Sequence, residues 1–430
     1  MIKNIKSLVK NNQKIISNLS YLTILQLFNM LLPLVTYPYL IRVIGKETYG
    51  LVLYVQSILL FVTVFINFGF SISATRQISL HINNRTEIQN IANSTLVVKS
   101  ILFLISLLGI FIASEFLSFV RDNLWLFVFS MAVPFYEAVF PIWYFQGIEK
   151  MRYITVLTML SRVLFTVLIF CFVRTESDYL LIPVFYGIGS VIAASLGVYL
   201  MYKDMGGAFF IPKFRSIHYY FMDSLPLFIS NFSTQINNRI AKVLIGIFLG
   251  VAEVTIYDLA EKIIEALKTP VGLIGQAIYP KVVQLKSSSF VLKIFRVTFI
   301  IFFIISIIVA LMAPTIINIL GGRELHSAIN LLRVFLFVLP LAVTRHFLGV
   351  QLLIAFGYSR RYSIIITIVA VVYILAIVLL SIYTDMTVFS FVILNVCSEM
   401  LLSAILFSSV MELDLLNTGS IIPNKASGNE

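Results

Sequence analysis

Residues 251–280 read VAEVTIYDLAEKIIEALKTPVGLIGQAIYP, and the fold turns on whether this stretch crosses a bilayer. Its length suffices to span hydrocarbon, yet Asp258, Glu261, Lys262 and Glu265 fall in its first half. A charged group at the bilayer centre costs about 3 kcal/mol on insertion scales. Several on one span therefore imply a wet cavity for them to face. On a helix turning about 100° per residue, the four side chains lie within an arc of about 100°. Ile256, Leu259, Ile263 and Leu267 take the opposite side, which suits lipid or neighbouring helices. Asp258 and Lys262 are correctly ordered for an i, i+4 ion pair, so a purely structural bridge is one reading of Asp258. Glu261 and Glu265 leave a surplus of negative charge able to take up a proton or Na⁺.

Working outward, the chain of 430 residues is 60% hydrophobic and 12% charged, against about 25% charged in a soluble domain. Apolar runs at 57–68, 100–112 and 298–312 sit in windows of about 20 residues. An all-α polytopic membrane protein follows, and the alternating pattern of a membrane β-barrel is missing. Twelve spans are expected, at 17–42, 51–75, 94–114, 124–147, 154–173, 180–202, 223–249, 251–280, 294–320, 328–355, 363–383 and 388–411. With the N-terminus inside, Lys and Arg divide about 18 to 5 in favour of the cytoplasmic segments. The net charge of +11 is read as this loop bias, with no nucleic-acid partner. Removing the eighth span would move residues 281–296 with Arg360 and Arg361 outside, which favours a true cavity-facing span over a helix lying on the surface. The basic start, Lys3 to Lys14, precedes an uncleaved anchor, since no small-residue cleavage site follows. Cys171 and Cys397 fall in apolar spans and form neither a metal pair nor an evident disulfide.

The longest inside segment, 203–222, divides the spans six and six. Two six-helix lobes, 1–207 and 208–416, around a central cavity are expected, followed by a polar, disordered cytoplasmic tail at 417–430. An even number per half gives both the same topology, as in parallel repeats. Leu32-Pro33-Leu34 echoes Leu225-Pro226-Leu227.

Other polar residues lie inside spans: Gln26 and Asn29 in span 1, Asn67 in span 2, Glu137 in span 4, Arg162 in span 5, and Arg345 with His346 in span 10. Span 7 adds Asn231, Gln235, Asn237, Asn238, Arg239 and Lys242. For Asn29, Asn67 and His346 an interhelical hydrogen-bonding role outweighs a functional one. Arg239, Lys262 and Arg345 give the second half a basic interior. A guanidinium fork matches phosphate geometry and an ammonium serves it as a point charge, so a pyrophosphate head group is the natural ligand. Spans 1, 2 and 4 hold few buried cations, which speaks against a symmetric basic lumen. Eight prolines, including Pro33, Pro38, Pro141, Pro226 and Pro314, interrupt spans and allow kinks. There is no phosphate-binding Gly-x4-Gly-Lys loop and no metal or redox motif, so an enzyme is not expected, nor a cofactor beyond an H⁺ or Na⁺ gradient.

Several motifs resemble those of O-antigen flippases of the Wzx type. The segment from Pro141 through Trp143, Gln146 and Gly147 to Met151 resembles the signature after the family's fourth span. Phe68-Gly69-Phe70 with Ser73-Ala74-Thr75-Arg76 closes span 2 in the same way. Gly250, Tyr257, Ala260 to Ile263 and Tyr279-Pro280-Lys281 are similar to its eighth span, and Gly349 to Arg360 to its tenth. The resemblance implies the MATE-like multidrug/oligosaccharidyl-lipid/polysaccharide exporter superfamily. It also implies a flippase moving undecaprenyl-pyrophosphate-linked oligosaccharide from the inner to the outer leaflet of the bacterial cytoplasmic membrane. Arg239 and Lys262 would contact the pyrophosphate, with Arg345 joining them, and Glu261, Asp258 or Glu265 would couple an ion. A polysaccharide polymerase and a chain-length regulator are the expected protein partners. The alternative is a cation-coupled multidrug exporter of the same fold, which would favour carboxylates and aromatics over buried Arg. A membrane polymerase or ligase would need a large outside loop, and the outside loops expected here are about ten residues or fewer.

Overall fold

The computed structural model describes residues 13–383 and 385–415. The tail expected at 417–430 and the basic residues Lys3, Lys6, Lys10 and Lys425 lie outside them. Among the described residues there are helices, turns and bends but no strand. A chain in hydrocarbon must satisfy its backbone N–H and C=O groups within each segment, and only a helix does so locally.

Twelve long helical segments follow one another. They are α1 Gln13–Ile44, α2 Lys46–Leu80, α3 Arg85–Phe116, α4 Leu124–Gly147, α5 Met151–Phe172 and α6 Glu176–Met205, then α7 Phe214–Phe248, α8 Val251–Leu285, α9 Ser288–Gly321, α10 Ala328–Ile354, α11 Ser359–Tyr383 and α12 Val388–Glu412. Ten of them are long and apolar enough to cross a membrane. The other two, α7 and α8, have 35 residues each, but their polar content keeps them outside that criterion. Exposed faces are apolar: Leu104, Leu108 and Ile112 on α3, and Ile300, Ile304, Ile307 and Leu311 on α9. In water such faces would be an aggregation hazard; in lipid they are the solvent-facing surface of a multi-pass membrane protein.

Local sequence sets the helix ends. The Asn84 side chain accepts from the Glu87 backbone N–H and starts α3. Thr387 and Ser390 form a capping box on α12. Gly206, at φ 64°, ends α6 in the left-handed region that glycine adopts without a Cβ clash. Several helices continue through their prolines, while Pro141 stands at a break. α1 runs through Pro33 and Pro38, α7 through Pro226 and α9 through Pro314. Breaks fall instead at Phe68–Gly69 in α2, where both residues have positive φ, at Met131 in α4, and at Phe140–Pro141. Within α10, residues Arg345–Ile354 form a π-helix, which composition did not foreshadow.

Two compact units result, Met1–Val243 and Leu244–Glu430. Their boundary falls inside α7 and differs from the sequence division at 207/208. The start of α7 is fastened to α2 and α3. Arg76 of α2 pairs with Asp223 at 2.6 Å, Gln77 donates to the same carboxylate at 3.2 Å, and Ser73 and Ser224 hydroxyls lie 2.5 Å apart. Tyr220 donates to Glu87 of α3. Phe68 stacks between Phe221 and Phe228 at 4.4 and 4.6 Å. A Cβ at Gly69 would fall 2.9 Å from the Phe228 nitrogen and the Ser224 carbonyl, so only glycine permits this approach. In the second unit α10 is central and packs on α8, α9, α11 and α12.

Candidate functional site

The charged stretch that opened the sequence reading is one continuous helix, α8. Its backbone repeat puts Asp258 and Lys262 one turn apart, and their side chains form an ion pair. Asp258 is buried, whereas the Lys262 side chain keeps 26% exposure. Glu265 is more open at 63% and pairs with Lys268 at 3.2 Å. Glu261, one turn before Glu265, is partly buried and lies within electrostatic reach of Tyr257 and Tyr373. The structural pairing of Asp258, left open by the sequence, is therefore present.

Arg345 stands at the first position of the π-helical segment of α10. Its guanidinium donates to Glu399 of α12 at 2.7 Å, with Glu265 also within electrostatic reach. The second Glu399 oxygen, Oε2, is buried without a hydrogen-bond partner. Below Arg345 the contact is steric as well as polar. Gln351 donates to the Gly275 carbonyl of α8 at 3.0 Å and lies 3.4 Å from His346 Nε2. A side chain at Gly275 would collide with the His346 ring. His346 thus packs α10 on α8, in line with the structural role expected for it.

The residues named on α8, α10 and α12 are four carboxylates, Asp258, Glu261, Glu265 and Glu399, and three cations, Lys262, Lys268 and Arg345. Neither Lys262 nor Arg345 is an open cation. A basic interior was expected; each cation here has a carboxylate beside it and the group as a whole carries one negative charge in excess. Buried charge must be compensated where water is excluded, which is why partners appear. Glu399 went unnoticed in the sequence because a single Glu in a long apolar helix gives no hint of a partner more than fifty residues away.

Arg239 belongs to the first unit by the division at Val243. It is exposed and its Nε donates to Gln235, one turn earlier on α7, at 3.0 Å. The side chains of Asn237 and Asn238 lie outside what the structure describes.

The first unit has a charged centre of its own. Lys99 of α3 is 1% exposed, and its ammonium reaches Glu137 of α4 at 2.8 Å. Asn67 of α2 donates to the same carboxylate oxygen at 2.6 Å and accepts from Ser71 at 3.2 Å. Three helices thus converge on one carboxylate. Asn67 has the interhelical role expected of it. Lys99, on α3, is a fully interior cation outside the spans 1, 2 and 4 considered in the sequence reading. Arg162 of α5 lies over the Tyr186 ring at 5.9 Å.

Comparison with known proteins follows this geometry. A family described as polysaccharide biosynthesis protein matches residues 15–286. A "Putative O-antigen transporter" of Escherichia coli (strain K12) is 26% identical over 364 residues, covering 80% of this chain and 85% of that one. Its counterpart in Shigella dysenteriae is 26% identical over 353 residues, covering 81% and 88%. Among solved structures, an inward-facing multidrug resistance MATE family transporter of the MOP superfamily superposes with a TM-score of 0.63 at 14% identity. It covers 91% of this chain and all of that one. A MOP superfamily transporter from Pyrococcus furiosus gives 0.61 at 16% identity, covering 93% and 96%. At such identities the likeness establishes the MATE-like fold.

Proposed function

This chain belongs to the polysaccharide biosynthesis protein family, and on that premise we propose that it is a flippase for lipid-linked oligosaccharide. The substrate is an oligosaccharide repeat on undecaprenyl pyrophosphate, carried from the inner to the outer leaflet of the bacterial cytoplasmic membrane with both termini inside. The chain acts as a transporter and catalyses no covalent step. A polymerase and a chain-length regulator take the product onward. The O-antigen transporters among its relatives support this substrate class.

The observation that carries the mechanism is the pairing of each second-unit cation with a carboxylate, Lys262 with Asp258 and Arg345 with Glu399. Lys262 and Arg345 bind the pyrophosphate; Arg239, on α7, is a separate candidate phosphate-binding cation. Phosphate oxygens and carboxylate oxygens compete for the same N–H donors. When the substrate leaves, the carboxylates take the cations back, and neither Lys262 nor Arg345 is left without a counter-charge. Protonation of Asp258 or Glu399 removes the competitor and favours the substrate, so ion and substrate are thermodynamically linked. Glu261 and Glu265 carry the surplus charge and are the further positions for H⁺ or Na⁺. An inside-negative potential favours outward movement of an anionic complex, by about 2.3 kcal/mol per charge per 100 mV.

The test uses a strain lacking its own O-antigen flippase. The wild-type chain is expected to restore surface polysaccharide. Lys262→Ala and Arg345→Ala are expected to reach the membrane in normal amount and fail to restore it. Full complementation by both variants would reject the phosphate role. Restored resistance to cationic drugs without restored polysaccharide would favour the multidrug reading.

A further inference from the structure

At one end of the second unit an open groove of 720 Å³ runs between the first turns of α11 and the last turns of α12. Its polar part is Tyr358, Arg360 and Arg361 from the α11 side with Ser408 and Ser409 from α12. Its apolar part is formed by Ile364 and Ile405. Ile364 is 50% exposed, so this part opens on the lipid-facing surface. Arg361 pairs with Glu412 at the end of α12. Arg360 is exposed and makes no hydrogen bond or ion pair among the described residues. Two arginines less one glutamate leave the groove with a charge of +1.

We propose that this groove is a binding site for one anionic glycerophospholipid, whose phosphodiester sits on Arg360 and Arg361 while an acyl chain lies along Ile364 and Ile405. The charge decides the occupant. A phosphodiester head group such as phosphatidylglycerol carries one negative charge and balances the groove, whereas a pyrophosphate brings more than a single net cation can offset. Guanidinium groups fit phosphate oxygens, and the serine and tyrosine hydroxyls can donate to a glycerol or phosphate oxygen. Basic pockets between transmembrane helices at the membrane surface favour such lipids. The site shares no residue with the α8 and α10 cluster, and lipid retained on the protein is measured independently of transport.

The full chain, purified in a neutral detergent and mixed with phosphatidylglycerol or phosphatidylcholine, is examined by native mass spectrometry. One phosphatidylglycerol is expected to be retained in preference to phosphatidylcholine. Removing each arginine is expected to weaken retention about fivefold, so Arg360→Ala with Arg361→Ala should weaken it about twenty-fivefold, and Arg360→Lys with Arg361→Lys should keep most of it. Glu412→Gln frees Arg361 and is expected to tighten binding severalfold, which keeps the test open if the double alanine variant fails to fold. Excess inorganic phosphate should leave the lipid in place. Equal retention of the two lipids, an unchanged Glu412→Gln variant, or displacement by inorganic phosphate would each overturn the proposal. Displacement by an equimolar polyprenyl pyrophosphate would assign the groove to the transported lipid and overturn it as well.

Discussion

The two units treat buried charge differently. In the first, Lys99 is sealed: its ammonium, the Glu137 carboxylate and the Asn67 amide meet where three helices pack. In the second, the order is reversed: the cations Lys262 and Arg345 retain 26% and 31% side-chain exposure, while their carboxylates Asp258 and Glu399 keep 3% and 12%. A fully buried lysine whose carboxylate has an extra amide donor holds helices together. A group whose cations keep partial exposure can exchange ions and ligands. The lesson is that charge within a membrane helix does not by itself mark a transport site; accessibility of the cations separates the working group from the structural one.

Replacing Lys99 tests this contrast hardest. Lys99→Met leaves the Glu137 carboxylate, 23% exposed, with the Asn67 amide as its donor, and breaking a pair with one fully buried partner costs up to about 3 kcal/mol. Thermal unfolding in detergent should show most of the folded protein lost. Lys99→Met combined with Glu137→Gln should recover the greater part, and a single variant as stable as wild type would end the distinction between the units. Arg345→Met should cost less, about 1–2 kcal/mol, since its site is partly solvated, while transport falls by more than tenfold. If stability and transport fall together in the proportion seen for Lys99, the second unit is structural too.

Asp223→Asn sharpens the comparison from within the first unit. The Arg76–Asp223 pair is 54% and 20% exposed, and its loss should lower stability by about 1 kcal/mol or less. A small effect there beside a large one at Lys99 would show that burial, and not membership of a unit, sets the magnitude. Glu265→Gln should be nearly silent in unfolding, because its pair with Lys268 is largely exposed. Its expected signature is a changed pH or Na⁺ dependence of transport. Glu399→Gln should make binding of the pyrophosphate lipid tighter, because a neutral amide competes less strongly than a carboxylate for Arg345.

Much of the architecture was legible because lipid imposes it. Apolar windows of span length gave the helices, and the i, i+4 spacing of Asp258 and Lys262 gave their pairing within one helix. What stayed hidden depends on contacts distant in sequence. Lys99 is one lysine in a long apolar run and reads as a side chain reaching for the interface; nothing local names Glu137 on another span. Glu399 is concealed from Arg345 in the same manner. The contacts of Asp223 and Tyr220 that tie the start of α7 back to α2 and α3 were likewise hidden, because they are long-range.

The π-helical part of α10 has a consequence for what changes the chain tolerates. Each wide turn holds more residues than an α-turn, so the strand of backbone beyond it is out of phase with the strand before it. Deleting one residue between His346 and Val350 would swing Gln351 by roughly 100° relative to the start of α10 and away from Gly275, whichever of them was removed. Point changes in this segment would be judged one side chain at a time, but its residue count is a fixed dimension, like the number of teeth on a gear.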